Sequence, residues 1–76
     1  MTDVEIEYCV PCGFLPRAQD VQEALLEEYG QQLDRVALRT GDHGVFTVTV
    51  DGDLVFDKEN DEYDVDAIVD SVGAHA

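Results

Sequence analysis

The feature that most restricts this chain is a change of hydrophobic period within its first 30 residues. Over "VEIEY", apolar Val4, Ile6 and Tyr8 alternate with Glu5 and Glu7, the period-two pattern of a strand with one polar face. From Pro16 to Tyr29 the apolar positions become Ala18, Val21, Leu25 and Tyr29, with Phe14 one turn upstream, which is helical spacing. Pro16 suits a first helical turn, where its missing N–H does no harm, and Gly30 supplies a stop. Between the two patterns lies "CVPC", which holds both cysteines, Cys9 and Cys12. A dithiol is therefore expected at the end of a strand and just ahead of a helix.

The remaining chain continues in short elements. "LDRVALRT" offers a strand carrying Val36 and Leu38, "GDHG" breaks it, and "VFTVTV" is the most strongly β-favouring run. Asp51-Gly52 is a two-residue hairpin signal, and "DLVFD" supplies the returning strand. After the polar loop "KENDEY", Val65, Ile68, Val69 and Val72 form the stripe of a last helix, with Asp64 as its N-cap. The predicted order is β-α-β-β-β-α. Its first two strands are parallel through a right-handed crossover, and its last two form an antiparallel hairpin. Seventy-six residues make one domain, 1–76. The expected fold is an α/β two-layer sandwich of thioredoxin-like type with a mixed four-stranded sheet. A ubiquitin-like chain would instead open with a hairpin.

Charge narrows the partners. Eighteen acidic residues face four basic ones, a net charge of −14, and Lys58 is the only lysine. Such a surface repels phosphate backbones and anionic lipids, so neither nucleic acid nor a membrane is expected as partner. No apolar run reaches the ~18 residues of a membrane span. "MTDVEIEY" lacks a basic region followed by an apolar stretch, so no secretory leader is expected and the anticipated location is cytoplasmic. The acids are scattered through every segment, which suits a solvating coat for molar salt, as in a halophilic archaeon. A face for a basic partner is the other reading.

The thiolate is the reactive form of cysteine, and a helix N-terminus favours it, lowering a thiol pKa from its usual ~8.5. The C-x-x-C spacing lets two sulfurs meet in a tight turn and cycle between dithiol and disulfide. Pro11 stiffens that turn, and Arg17 is the only cation close in sequence. Two other uses compete. A structural disulfide closing so short a loop constrains the unfolded chain little. A zinc site needs four ligands, and only His43 and His75 accompany the cysteines. His43, in the "TGDHGV" loop, either tunes a thiolate near the dithiol or is a surface histidine. Gly41 and Gly44 are read as backbone formers. Phe14, Leu15 and Phe46 are either an apolar rim around the dithiol or core.

"EYCVPCGFLPRAQDVQEALLEEYG" resembles the opening of the selenoprotein W-like (Rdx) proteins, the group that includes the SelT, SelW and SelH types. These are small thioredoxin-like domains with C-x-x-C or C-x-x-selenocysteine after the first strand. Gly13 and aromatic Phe14 after the second cysteine, a glycine-containing loop before "VFTVTV", the "DGDLVFD" hairpin and a last helix continue the likeness. The resemblance implies thiol redox work on protein disulfides or a low-molecular-weight thiol, with no organic cofactor and no metal. It makes Cys9 and Cys12 the catalytic pair; separately, a monomer is expected. Selenocysteine occupies the position of Cys12 in that family, which favours Cys12 as attacker and Cys9 as resolving thiol, the reverse of thioredoxins. The chain lacks the thioredoxin cis-proline in the loop facing the dithiol. A redox-sensing interaction module without turnover, or a zinc-bound structural domain, is the alternative.

Overall fold

Strand β1 (Asp3–Cys9) buries Val4, Ile6 and Tyr8 and exposes Glu5, as its alternation requires. The structure, a computed structural model, describes residues 2–75. A turn leads from β1 into α1 (Leu15–Tyr29), and a single 3-10 turn (Gly30–Gln32) leads to β2 (Arg35–Gly41). Strands β3 (Phe46–Val50) and β4 (Asp53–Asp57) follow, and α2 (Val65–His75) ends the fold.

The sheet order is β2-β1-β3-β4. Strand β1 pairs parallel with β2, placing Val4 beside Val36 and Ile6 beside Leu38. It pairs antiparallel with β3, placing Val4, Ile6 and Tyr8 beside Val50, Val48 and Phe46. These registered residues share one face. Ala18, Val21 and Leu25 of α1 and Ile68, Val69 and Val72 of α2 close over that face in a single apolar cluster. Burying one side chain of this size contributes about 1.5–3 kcal/mol. The exposed ion pairs Arg35–Asp3 and Arg39–Glu5 contribute about 0.2–1 kcal/mol each. The apolar layer, not surface charge, therefore holds the sheet to the helices.

Local signals act where the chemistry places them. Asp51 and Gly52 both have positive φ, 51° and 87°, as a two-residue hairpin turn matching strand twist requires. The Asp64 carboxylate accepts the N–H groups of Asp66 and Ala67 at 3.0 and 3.3 Å and caps α2. One irregularity has no counterpart in the hydrophobic pattern. The β3–β4 register shifts between Val48 and Thr49, which face Phe56 and Leu54, so Val55 is an extra residue on the edge strand β4.

The helices meet through Tyr29, whose hydroxyl donates to the Val69 carbonyl at 2.6 Å. Gly73 lies against that ring, and a Cβ added there would overlap the Tyr29 hydroxyl. Gly73→Ala should lower stability by about 1–3 kcal/mol through overpacking. It should do so despite the ~1 kcal/mol gain in helix propensity. In a Tyr29→Phe background, which removes the clashing oxygen, the same substitution should cost less. Urea unfolding at fixed salt measures both, and a more stable Gly73→Ala protein would contradict this packing.

Candidate functional site

Sheet order decides how the two cysteines differ. Strands β2 and β3 lie on either side of β1, so residues 42–45 must cross the C-terminal end of β1, where Cys9 stands. Adjacent strands are about 4.8 Å apart, so this crossing spans about 10 Å. It is a tight turn in which the Val45 N–H donates to the Asp42 carbonyl at 3.3 Å. His43 and Gly44 both adopt left-handed backbone, with φ of 60° and 77°. Glycine does so freely, and histidine is among the few other residues enriched there. The crossing is bonded to the site by backbone alone. The Cys9 N–H donates to the Val45 carbonyl at 2.8 Å, and the Val10 N–H to the Gly41 carbonyl at 3.0 Å. At Gly41 the constraint is space: a Cβ would meet Val45 Cγ1 at 2.7 Å and a Glu7 carboxylate oxygen at 2.9 Å. Cys9, in register with Gly41, is fully buried.

Cys12 stands in the turn that follows. The Gly13 N–H donates to the Val10 carbonyl at 3.1 Å, which makes Val10 to Gly13 a four-residue turn with Pro11 second and Gly13 fourth. Those are the positions proline and glycine favour in the commonest turn type, because proline presets φ. The Phe14 N–H reaches back to the Cys9 carbonyl at 3.4 Å. The turn brings the two Cα atoms to 5.3 Å, and the sulfurs are joined as a disulfide. Cys12 is exposed, as are Pro11 and Gly13 around it. Just beyond, α1 starts with Phe14 as N-cap, without a side-chain cap and without an acid in its first turn. The electrostatics of that end therefore favour an anion such as a thiolate.

An aromatic cluster supports the turn. Phe46 is buried and meets Phe14, Phe56 and Tyr63 edge-on, with ring centroids 6.0, 5.9 and 5.7 Å away. Phe14 is half-buried and Leu15 is 41% exposed, so of the apolar residues named as rim or core, only Phe46 lies wholly in the core. The Arg17 guanidinium lies 5.3 Å from both the Phe14 and Tyr63 rings, and Lys58 Nζ lies 5.4 Å from Phe14. The Tyr63 hydroxyl donates to the Arg17 carbonyl at 3.3 Å. Burial pushes the Tyr63 phenol above its ordinary value of 10.0; the Asp20 carboxylate adds to the rise and Arg17 opposes it. A raised folded-state value means that this contribution to stability is present below pH 10 and is lost as pH climbs through the folded value.

His43 is brought near by its backbone, not by its side chain. Its ring is 92% exposed, is paired with Asp42 at 3.4 Å, and has no hydrogen bond to either cysteine. His75 is paired with Asp53 at 3.5 Å. Among the described residues no three His, Cys, Asp or Glu side chains are grouped to hold a metal ion. Two residues at the site, Lys58 and Tyr63, were not marked as such by the sequence. The available signals were slight: the lone lysine, and the one aromatic in an otherwise polar loop.

In the reduced protein, iodoacetamide should modify Cys12 at least about tenfold faster than Cys9, because the thiolate must be accessible to react. Gly41→Ala should narrow that gap by displacing Val45 and loosening the crossing. Peptide mapping after timed alkylation reads both rates; faster modification of Cys9 in the parent protein would contradict the burial described.

The comparisons with known proteins cover nearly all of this architecture. Residues 3–74 match the family model described as the Rdx family. Two relatives called Migration and invasion enhancer 1, from Mus musculus and Bos taurus, are 38% and 36% identical over 56 residues. That is 72% of this chain and 46% of each relative, so the chain spans less than half the length of the curated relatives it matches. A crystal structure from Bordetella parapertussis superposes with a TM-score of 0.93 at 30% identity, covering 99% of this chain and 98% of that one. A selenoprotein W-related protein from Vibrio cholerae superposes at 0.89 and 21% identity over 97% and 95% of the two chains. That last likeness speaks to fold, which is thioredoxin-like. With the cysteine turn, the crossing loop, α1 and all but the last residue of α2 inside the matched span, the chain belongs to the Rdx family.

Proposed function

We propose that the protein is a small thiol–disulfide exchange protein in which Cys12 attacks and Cys9 resolves. The observation carrying this reading is the difference in exposure: Cys12 is open to solvent, Cys9 is fully buried, and the two are within bonding reach. A substrate disulfide can approach only Cys12. Its thiolate attacks one substrate sulfur, a Cys12–substrate bond forms, and the other substrate sulfur leaves as a thiolate and takes a proton. Cys9, deprotonated, then attacks Cys12 Sγ, expels the second substrate thiolate and closes the Cys9–Cys12 disulfide. Two electrons have passed to the substrate. Two external thiols restore the dithiol and leave as their own disulfide. Substrates in this reading are protein disulfides or a low-molecular-weight disulfide, with the protein acting as a monomer in the cytoplasm. The acid coat is read as a solvating surface for molar salt.

A second reading, a redox-gated docking module, draws on Val10 at 51% exposure and Leu15 beside the dithiol. The two readings part on turnover. With a model disulfide and excess reductant, the parent protein should turn over repeatedly and Cys12→Ser should lose all activity. Reduced beforehand and mixed with the disulfide in the absence of external reductant, Cys9→Ser should stop after one event and accumulate a Cys12-linked mixed disulfide, visible by intact mass. Full activity in both single variants would sink the exchange reading. Partner capture by the parent protein without repeated turnover would favour docking.

A further inference from the structure

The four basic residues are divided between two places. Arg35 and Arg39 lie on β2 and pair with Asp3 and Glu5 of β1 at 3.3 and 3.5 Å. Arg17 and Lys58 come from α1 and from the turn after β4, yet both stand over the ring of Phe14, at 5.3 and 5.4 Å. Among the described residues neither makes an ion pair with a carboxylate. Of the acids close to Lys58 in sequence, Asp57 accepts the Glu59 N–H and Asp61 accepts the Asp57 N–H, while the adjacent Glu59 carboxylate makes no hydrogen bond or ion pair among the described residues. On the α1 side, the Asp20 carboxylate is close enough to Tyr63 to raise its pKa, against Arg17, which lowers it.

Phe14 stands two residues beyond Cys12, and its N–H is bonded to the Cys9 carbonyl. The two cations without carboxylate partners therefore share one aromatic ring at the edge of the dithiol turn. Like charges held over one ring repel, and an anion placed between them removes that cost. On a chain of net charge −14, two of the four basic residues meet at this one ring. Exposed Val10 and Leu15 flank Cys12 in sequence and add apolar surface, at 51% and 41% exposure. A chain segment of several residues can cover that surface, whereas a small thiol cannot.

We propose that Arg17 and Lys58 select the substrate: the protein exchanges with acidic protein segments in which carboxylates flank the reacting cysteine. This rests on the exchange reading above. Electrostatic complementarity of this kind sets the encounter rate and the choice among partners more than raw affinity. The remaining acidic surface would repel such a segment, so docking is confined to the cationic edge, which holds the segment against Cys12.

The test uses the full-length reduced protein and three matched peptide disulfides with Glu, Gln or Lys on both sides of the cysteine. Each rate is normalised to the same peptide's reduction by dithiothreitol. The Glu peptide should react about three- to tenfold faster than the Gln peptide, the range expected for two exposed charge contacts. Added potassium chloride should shrink that preference. Arg17→Gln/Lys58→Gln should bring the ratio to within about twofold, as charge removal requires. Arg35→Gln/Arg39→Gln, with the same change of charge, should keep it. If the first double variant is poorly folded, Lys58→Gln alone, at an exposed turn position, should lose part of the preference. A fastest reaction with the Lys peptide, or a Glu preference that survives Arg17→Gln/Lys58→Gln, would overturn the proposal while leaving exchange intact. Equal normalised rates on the Glu peptide and on the disulfide of 3-mercaptopropionate would also overturn it, assigning the patch to small carboxylated thiols. Reduction of no peptide would bring down the exchange reading and this proposal together.

Discussion

The connection that carries the chain from β2 to β3 over the end of β1 governs the chemistry of this molecule. Because those strands flank β1 and do not pair with each other, four residues must pass across the strand end that carries Cys9. The passage is tight. It needs left-handed backbone at His43 and Gly44 and no side chain at Gly41, where Val45 packs. Its backbone takes up the N–H groups of Cys9 and Val10 and leaves the next turn outside. Two cysteines three positions apart thus acquire different surroundings. One is sealed under a crossing, and the other is held at the surface on a proline–glycine turn.

Electrostatics are layered on that geometry. The acid coat is distributed over the whole chain and sets a field that salt screens within about 10 Å at moderate ionic strength. What survives screening is local: the open end of α1, and two cations resting on the aromatic cluster beside the turn. The aromatic cluster therefore has two roles. Phe46 anchors it in the core, while Phe14 and Tyr63 carry charge to the rim of the site. Core packing and the placement of charge at the dithiol are thereby coupled through one set of rings.

Much of the architecture was legible because it is written in local patterns. The period switch around "CVPC" located β1, the turn and α1; Asp51-Gly52 marked the hairpin; Asp64 marked the start of α2. The roles of Pro11 and Gly13 follow from turn chemistry that any sequence displays. The extra residue Val55 was not legible, because a bulge depends on cross-strand register. Burial of Cys9 was not legible either, since it follows from sheet order. His43 stood in the right loop, but turn geometry directs its ring into solvent. Lys58 and Tyr63 reach the site only through the return of the chain after β4, so no local pattern distinguishes them from the polar loop around them. Contacts that join distant segments escape a reading made of local periods.

On the exchange reading, Cys9 and Cys12 form one working redox couple within a single chain. An equilibrium redox titration in molar potassium chloride, read by alkylation and intact mass, tests it most directly. The account predicts one two-electron transition between dithiol and intramolecular disulfide, with a midpoint in the roughly −300 to −180 mV range of cellular redox carriers. A pair that stays reduced across that range, or that oxidises only by linking separate chains, would contradict it.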